Sequence, residues 1–289
     1  MFVVGGCLSW AASLGCTSEA PERTADDCAQ LTFTAELPGD TQEGYACFAF
    51  EAPPTRPLRS LVWRLASGSG VALHHATLYT TSEALPRGVA FDCDPMPVDA
   101  QGVHVWVPGS DALELPDDTG IVLRPDTRSL IVEAHMFRAS EAPPQASQVS
   151  LCSSSEAPAR LAGRFALGAP VPAIRPRTVE SSSALCRFGS DLHLLSSWPH
   201  MHRMGKEFHS ALLRGGERIP ILDLTRWDFA RQLTYATEVD VQAGDLIETT
   251  CTWQNDTDRY VLPGLFSDNE MCTHGLTAWP ANAAYCDPQ

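Results

Sequence analysis

The sequence predicts an all-β protein built as two β-sandwiches in tandem, and three observations point there. Short apolar runs recur between turn-forming residues about every ten positions. No stretch of three helical turns carries apolar residues at i, i+3, i+4 and i+7. A region rich in Pro and Ser divides the chain into two strand-rich halves of similar size.

The runs Ser60-Leu61-Val62-Trp63, Gly120-Ile121-Val122-Leu123, Ser129-Leu130-Ile131-Val132 and Gly244-Asp245-Leu246-Ile247-Glu248-Thr249 are bounded by Pro, Gly, Asp or Ser and read as strands of a sandwich or jelly roll. The separating region, 140–183, contains Glu141-Ala142-Pro143-Pro144, Ser153-Ser154-Ser155 and Pro170-Val171-Pro172, which sets a boundary near residue 160. A chain of 289 residues agrees with two domains, since one domain usually takes about 100–200 residues. The expected organisation is a leader over 1–27, a first domain over 28–160 and a second over 161–289. With 44% hydrophobic and 19% charged residues, the chain is neither a coiled coil nor a disordered polymer.

The net charge is −15 and Lys206 is the only lysine, so no basic stripe is present to displace counterions from a phosphate backbone. Nucleic acid is excluded as a partner on that ground. Residues 1–15 carry no charge and are mostly apolar or small, as in the core of an export signal, and are too few to span a bilayer as a helix. Ser13-Leu14-Gly15-Cys16 is similar to a lipoprotein cleavage box, with Val4-Gly5-Gly6-Cys7 as a competing match. Lipidation of Cys16 would tether the protein to a membrane surface; without it the protein is simply secreted.

Apart from Cys7 and Cys16, eight cysteines remain, widely spaced and outside CxxC pairs. They read as disulfides formed in an oxidising compartment, periplasmic or extracellular, rather than as a zinc cluster. Four precede the separating region's Ser run and four follow it, which suggests two bridges per domain. Their spacing alone leaves the pairing open.

Five of the nine histidines fall in three compact settings. In Trp198-Pro199-His200-Met201-His202 the two imidazoles stand two residues apart, so a strand projects both from one side within reach of one ion. A pair of surface histidines on an exposed strand is the competing reading. His74 and His75 are adjacent and point to opposite faces of a regular strand, so they meet one ion only at a bulge or strand end. His135 lies in an apolar run, Leu130 to Phe137, where a histidine is usually a satisfied core residue. Met271, beside Cys272, is packing by default. Joined to His200 and His202, it would complete a thioether and two-imidazole set that suits copper better than zinc or magnesium.

The order of these motifs, His-His, then a strand His, then His-x-His with Gly205-Lys206 after it, then Glu270-Met271-Cys272, resembles the copper type II, ascorbate-dependent monooxygenases, in a bacterial-type exported form. The resemblance covers about residues 28 to 289 and includes the peptidylglycine α-hydroxylating and dopamine β-type enzymes. It implies two antiparallel jelly-roll domains with a copper site on each. His74, His75 and His135 would hold an electron-storing copper, and His200, His202 and Met271 the copper at which oxygen and substrate meet. It also implies the bridges Cys28–Cys152, Cys47–Cys93, Cys186–Cys286 and Cys251–Cys272, with one further bridge of the relatives missing from the first domain.

The implied activity is hydroxylation of a C–H bond in a small organic or peptide-like molecule, using O2 and ascorbate or another one-electron donor. The peptide-amidating branch reads a carboxylate with Arg, Asn and Tyr at positions held here by Trp198, Thr273 and Gly275, so peptide amidation is not expected. Trp198, Thr273 and His274 are candidates to face substrate, although a surface histidine and a core tryptophan are the plainer readings. Glu133, on the same strand face as His135, is a candidate to hydrogen-bond a ligand. His104, His193 and His209 have no partner in the motifs and read as surface or core residues. A non-catalytic copper-binding or electron-transfer protein is the alternative. A zinc hydrolase fits less well, because a thioether is a poor zinc ligand.

Overall fold

The computed structural model describes residues 27–53, 57–65, 70–110, 112–140, 143, 145–153, 157–281 and 286–288. Residues 1–26, which contain Cys7 and Cys16 and all of the expected leader except Asp27, lie outside them. Every named element is a strand, and no α-helix occurs among the described residues. The N-terminal half runs through β1 (Asp27–Thr34), β2 (Glu43–Glu51), β3 (Leu58–Arg64), β4 (Val71–Thr81) and β5 (Ala90–Phe91). It continues with β6 (Gln101–Trp106), β7 (Ala112–Glu114), β8 (Thr119–Ile121), β9 (Ser129–Arg138) and β10 (Ala146–Ser153). The C-terminal half contains β11 (Arg160–Gly168), β12 (Thr178–Phe188), β13 (Leu192–His200), β14 (Gly205–Arg214) and β15 (Glu217–Leu224). It ends with β16 (Tyr235–Val241), β17 (Leu246–Asn255), β18 (Thr273–Trp279) and β19 (Cys286–Pro288).

In the N-terminal half, the sheet β5-β2-β9-β4-β6 faces strands β1, β10, β3 and β8, and Phe48, Leu78, Leu130 and Val132 meet Leu31, Leu61, Val149 and Leu151 in one core. In the C-terminal half, β15-β14-β17-β12-β19 lies against β11, β18, β13 and β16, and Phe188, Leu212 and Ile247 pack on Leu194 and Leu276. This is sandwich packing, in which apolar residues at every second position of each strand turn inward.

One link joins the halves into a continuous sheet. Strand β8 pairs with β11 in parallel, Thr119 to Arg160 and Ile121 to Ala162, while the other pairings between the strands named above are antiparallel. Gly120 sits at this joint, where a Cβ would come within 2.7 Å of Pro57 Cβ and 2.9 Å of Pro158 Cγ. Only glycine leaves room here for the two proline rings.

The predicted strands are present with adjusted ends. Gly120 and Ile121 belong to β8 but Val122 and Leu123 follow it, and β17 starts at Leu246 because Gly244 takes a left-handed turn at φ 95°. The separating region is a correction: 140–183 is not a plain linker, because it contains β10, β11 and the start of β12. Val149 and Leu151 explain this, since they alternate into the first core and make β10 an inner strand between β1 and β3.

Disulfides join Cys28 to Cys152, Cys47 to Cys93 and Cys251 to Cys272, which indicates an oxidising compartment. Cys28 and Cys152 are directly opposite in the β1–β10 ladder, so that bridge ties a cross-strand pair. Cys186 is also bridged, and the side chain of Cys286, its expected partner, lies outside the described residues.

Candidate metal centre

Alternation on β9 places the first histidine. Leu130, Val132, Ala134 and Met136 enter the core of the N-terminal half, so Glu133 and His135 project from the opposite face of the sheet. His135 is nevertheless fully buried, because the C-terminal half covers that face. Strand β4 pairs with β9 through a register shift between Leu73 and His75, and His75 lies opposite His135. The shift makes His74 the extra residue of a bulge, which turns both adjacent imidazoles toward His135. Their ligand atoms, with that of His135, all lie within 4.8 Å of one another.

The second group forms where a strand ends. His200 closes β13, and His202 lies in the turn that opens β14, where its carbonyl accepts from Gly205 N at 3.2 Å. The two rings have centroids 5.0 Å apart. Met271 lines the same cleft as His75 and His200, in the segment that the Cys251–Cys272 bridge ties to β17. The two groups also touch each other, with the His75 and His200 centroids 5.6 Å apart.

Hydrogen bonds decide which ring nitrogens remain available. His200 Nδ1 faces Gln232 Oε1 at 2.6 Å, and His202 Nδ1 faces the Asn269 carbonyl at 3.2 Å, so each of these rings turns Nε2 inward. His202 Nε2 is buried with no partner. In the first group the arrangement is reversed. His74 Nε2 donates to the Phe229 carbonyl at 3.2 Å and His135 Nε2 to Glu43 Oε1 at 2.9 Å. His74 Nδ1 and His75 Nδ1 then face each other at 3.2 Å, and His135 Nδ1 is buried without a partner. Holding one ring nitrogen with an oxygen acceptor while the other stays unpaired is the usual preparation of a histidine ligand. Leaving a buried polar atom unpaired costs free energy that a metal ion would offset. Three imidazoles suit copper, and two imidazoles joined by the Met271 thioether would also suit it.

Burial keeps these imidazoles neutral. It lowers His200 to about 3 and His202 to about 4, with His202 adding to the effect on His200. Burial also brings His135 to about 4 against the opposing Glu43 carboxylate, holds His75 well below the usual imidazole value, and lowers His74. A neutral ring offers its lone pair to a metal at neutral pH. Depression alone does not mark a ligand, however, since burial also takes the core residues His104 and His274 to about 3.

Several residues that shape the centre were not singled out from sequence. Glu270 is fully buried, and its carboxylate accepts from the backbone N–H of His202 at 2.9 Å, Met204 at 2.6 Å and Met271 at 3.3 Å. It therefore fixes two expected ligands at once, while burial pushes its carboxyl up to about 7 against those three bonds. Glu43 also accepts from Ser267 N at 2.8 Å and Ser267 Oγ at 2.9 Å, so one carboxylate joins His135 to the loop before Met271. The Phe229 carbonyl accepts from both His74 Nε2 and Gln232 Nε2, the latter at 3.0 Å, which connects the two histidine groups through Gln232. No local sequence signal marks Glu43, Phe229 or Gln232. Glu270 stands in the Glu-Met-Cys motif and was legible as a position, though not as a backbone acceptor.

Two of the expected roles need correction. His274 faces neither substrate nor solvent: it is fully buried between Ser197 Oγ at 2.7 Å and Thr249 Oγ1 at 3.2 Å, on the core side of β18. The alternation that turns Thr273 and Gly275 toward the cleft turns His274 away. Glu133 lines the cleft and accepts from the Tyr79 hydroxyl at 3.5 Å, whereas the carboxylate that reaches His135 is Glu43, on neighbouring β2. Trp198 combines both of its readings. It is buried, stacks on His200 at 5.1 Å and donates Nε1 to the Gln232 carbonyl at 3.0 Å, yet one edge lines the cleft. Away from the centre, His193 lies on the surface between Asp240 and Glu238, and His209 pairs with Asp223.

Residues 160–288 match the family model for the copper type II ascorbate-dependent monooxygenase C-terminal domain. The match supports a copper monooxygenase as the general class and implies copper as the metal. Among solved structures, one described as that of the Macrobrachium rosenbergii nodavirus aligns over 96% of this chain and 97% of that chain. At 11% identity and a TM-score of 0.17, it carries no argument about this protein.

Proposed function

We propose that the chain is a monooxygenase of two jelly-roll domains, meeting near residue 160, that uses two copper ions. His74, His75 and His135 hold the one that stores an electron. His200, His202 and Met271 hold the one beside the substrate. The reaction places one atom of O2 in a C–H bond of a small organic or peptide-like molecule and reduces the other to water, with ascorbate or another one-electron donor supplying two electrons. Copper, when bound, would supply one-electron redox chemistry.

The observation that carries this reading is the pair of buried, unpartnered nitrogens, His135 Nδ1 and His202 Nε2, one in each histidine group. The chain's own residues do the positioning. Gln232 and the Asn269 carbonyl fix the tautomers of His200 and His202, and Glu270 holds the backbone around His202 and Met271. The cleft of about 1010 Å³ beside them is lined from both halves and has room for a small organic molecule.

Copper content and EPR of wild type, His135→Ala and Met271→Ala test it, together with oxygen uptake. Expected are two coppers in wild type, loss of one in His135→Ala, an altered second signal in Met271→Ala, and uptake that needs both copper and reductant. A single copper, or zinc bound regardless of Met271, overturns the assignment. Two coppers without reductant-dependent uptake would favour a copper-binding protein on the same fold.

A further inference from the structure

Arg164 is a cation in the cleft wall that the chemistry above does not use. It lies on β11, whose backbone pairs with β18, and its guanidinium sits 5.3 Å from the centroid of the Trp198 ring. Part of its side chain is still exposed, but the charged end is deep enough that burial lowers it to about 10. Among the described residues no carboxylate pairs with it. Glu43 is engaged by Ser267 and His135, Glu133 by Tyr79, and Asp92 by the backbone N–H of Asp94. Burying a guanidinium without a counterion is costly, and a bound anion removes that cost.

The backbone opposite makes room for this arrangement. A Cβ at Gly275 would lie 2.6 Å from Arg164 Nη2 and 3.0 Å from Trp198 Cε3, so the guanidinium fills the space that a side chain at 275 would take. Trp198 touches both Arg164 and His200, which places the cation in the cleft wall on the side of the second histidine group. Val105, Phe165, Phe266 and Met96 supply apolar lining elsewhere in the same cleft.

We propose that Arg164 is the specificity-determining residue of the cleft, and that the ligand carries a carboxylate which its guanidinium binds, joined to an apolar body lying along Trp198. The planar fork of arginine matches a carboxylate through two parallel hydrogen bonds, which gives orientation as well as affinity. Calling this ligand the substrate rests on the monooxygenase reading; the binding itself does not.

The test is calorimetric titration of the copper-free full chain with 3-phenylpropionate and with 3-phenylpropanamide, which differ in the carboxylate alone. Wild type is expected to bind the acid roughly tenfold or more tightly than the amide, the usual scale of a hydrogen bond to a charged partner. Arg164→Gln should remove that preference and leave the amide unchanged, while Arg164→Lys retains part of it. Gly275→Ala, which pushes the guanidinium aside, should weaken the acid alone and serves if Arg164→Gln does not fold. Equal binding of acid and amide by wild type, no saturable binding of the acid up to about 10 mM, or a preference that survives in folded Arg164→Gln overturns the proposal. Because no copper takes part, failure here leaves the oxygen-uptake test standing, and the converse also holds.

Discussion

His74, His75 and His135 stand on two strands paired inside one sheet, whereas His200, His202 and Met271 stand on a strand end, a turn and a loop. The first group needs little local help, since the ladder sets the positions of its rings and a bulge supplies the one irregularity. Its outward nitrogens are held from elsewhere, His74 by the Phe229 carbonyl of the C-terminal half and His135 by Glu43. In the second group the ladder reaches only His200, opposite Thr273 at the end of β13, and the rest is held by a buried carboxylate, a buried amide and a disulfide. Equivalent donors can therefore be positioned by sheet register or by polar contacts, and the two should fail in different ways.

Glu270→Ala should have the largest effect. Three backbone N–H groups lose their acceptor, which costs about 3 kcal/mol or more if they stay buried. Thermal unfolding should shift accordingly, and the second copper should be lost while the first is retained. Equal loss of both would mean that the groups are not held independently. Gln232→Ala should lower affinity at the second group by roughly 10–100-fold, the usual cost of removing a partner that orients a histidine ligand. Competition with a calibrated chelator would measure this, and a smaller change at the first group would report the link through Phe229. Glu43→Gln keeps an oxygen acceptor for Ser267 but weakens the hold on His135, so affinity at the first group should fall about tenfold. No change would show that register alone is sufficient there.

The smallest effect comes from a carboxylate remote from both groups. Burial pushes Asp245 up, but bonds from Arg214 and the Gln242 N–H outweigh it, leaving the carboxyl below its ordinary value. Its stabilisation is therefore complete above the unfolded pKa of about 4 and is lost as pH falls through the lower folded value. Acid unfolding of Asp245→Asn should accordingly show less dependence on pH below about 4, with copper binding at neutral pH unchanged.

Much of the fold could be read locally. The apolar run Leu130 to Val132 and the turn signals around Ser60–Trp63 predict strands that the structure contains, because a short apolar run bounded by turn residues is written directly in sequence. The region around Pro143 and Ser153 was harder, since its turn residues outnumber the two apolar positions, Val149 and Leu151, that make β10 an inner strand. In the candidate site the histidines were visible as short-range patterns, and the need for a bulge or a strand end at His74 and His75 followed from strand geometry. His274 and Glu133 were misjudged in role because a side chain's face and partner depend on which neighbouring strand covers it.

The sequence by itself therefore determined the all-β class, the side-chain types at the centre and their chemical preference for copper, because these depend on local periodicity and donor chemistry. Tertiary structure alone decided which nitrogens remain unpaired, that Glu43 on a neighbouring strand and Gln232 in a loop hold His135 and His200, and that Arg164 meets Trp198 over Gly275 in the cleft wall. Those relations come from register and from the packing of one half on the other, and residues that meet in this way can be far apart in the chain.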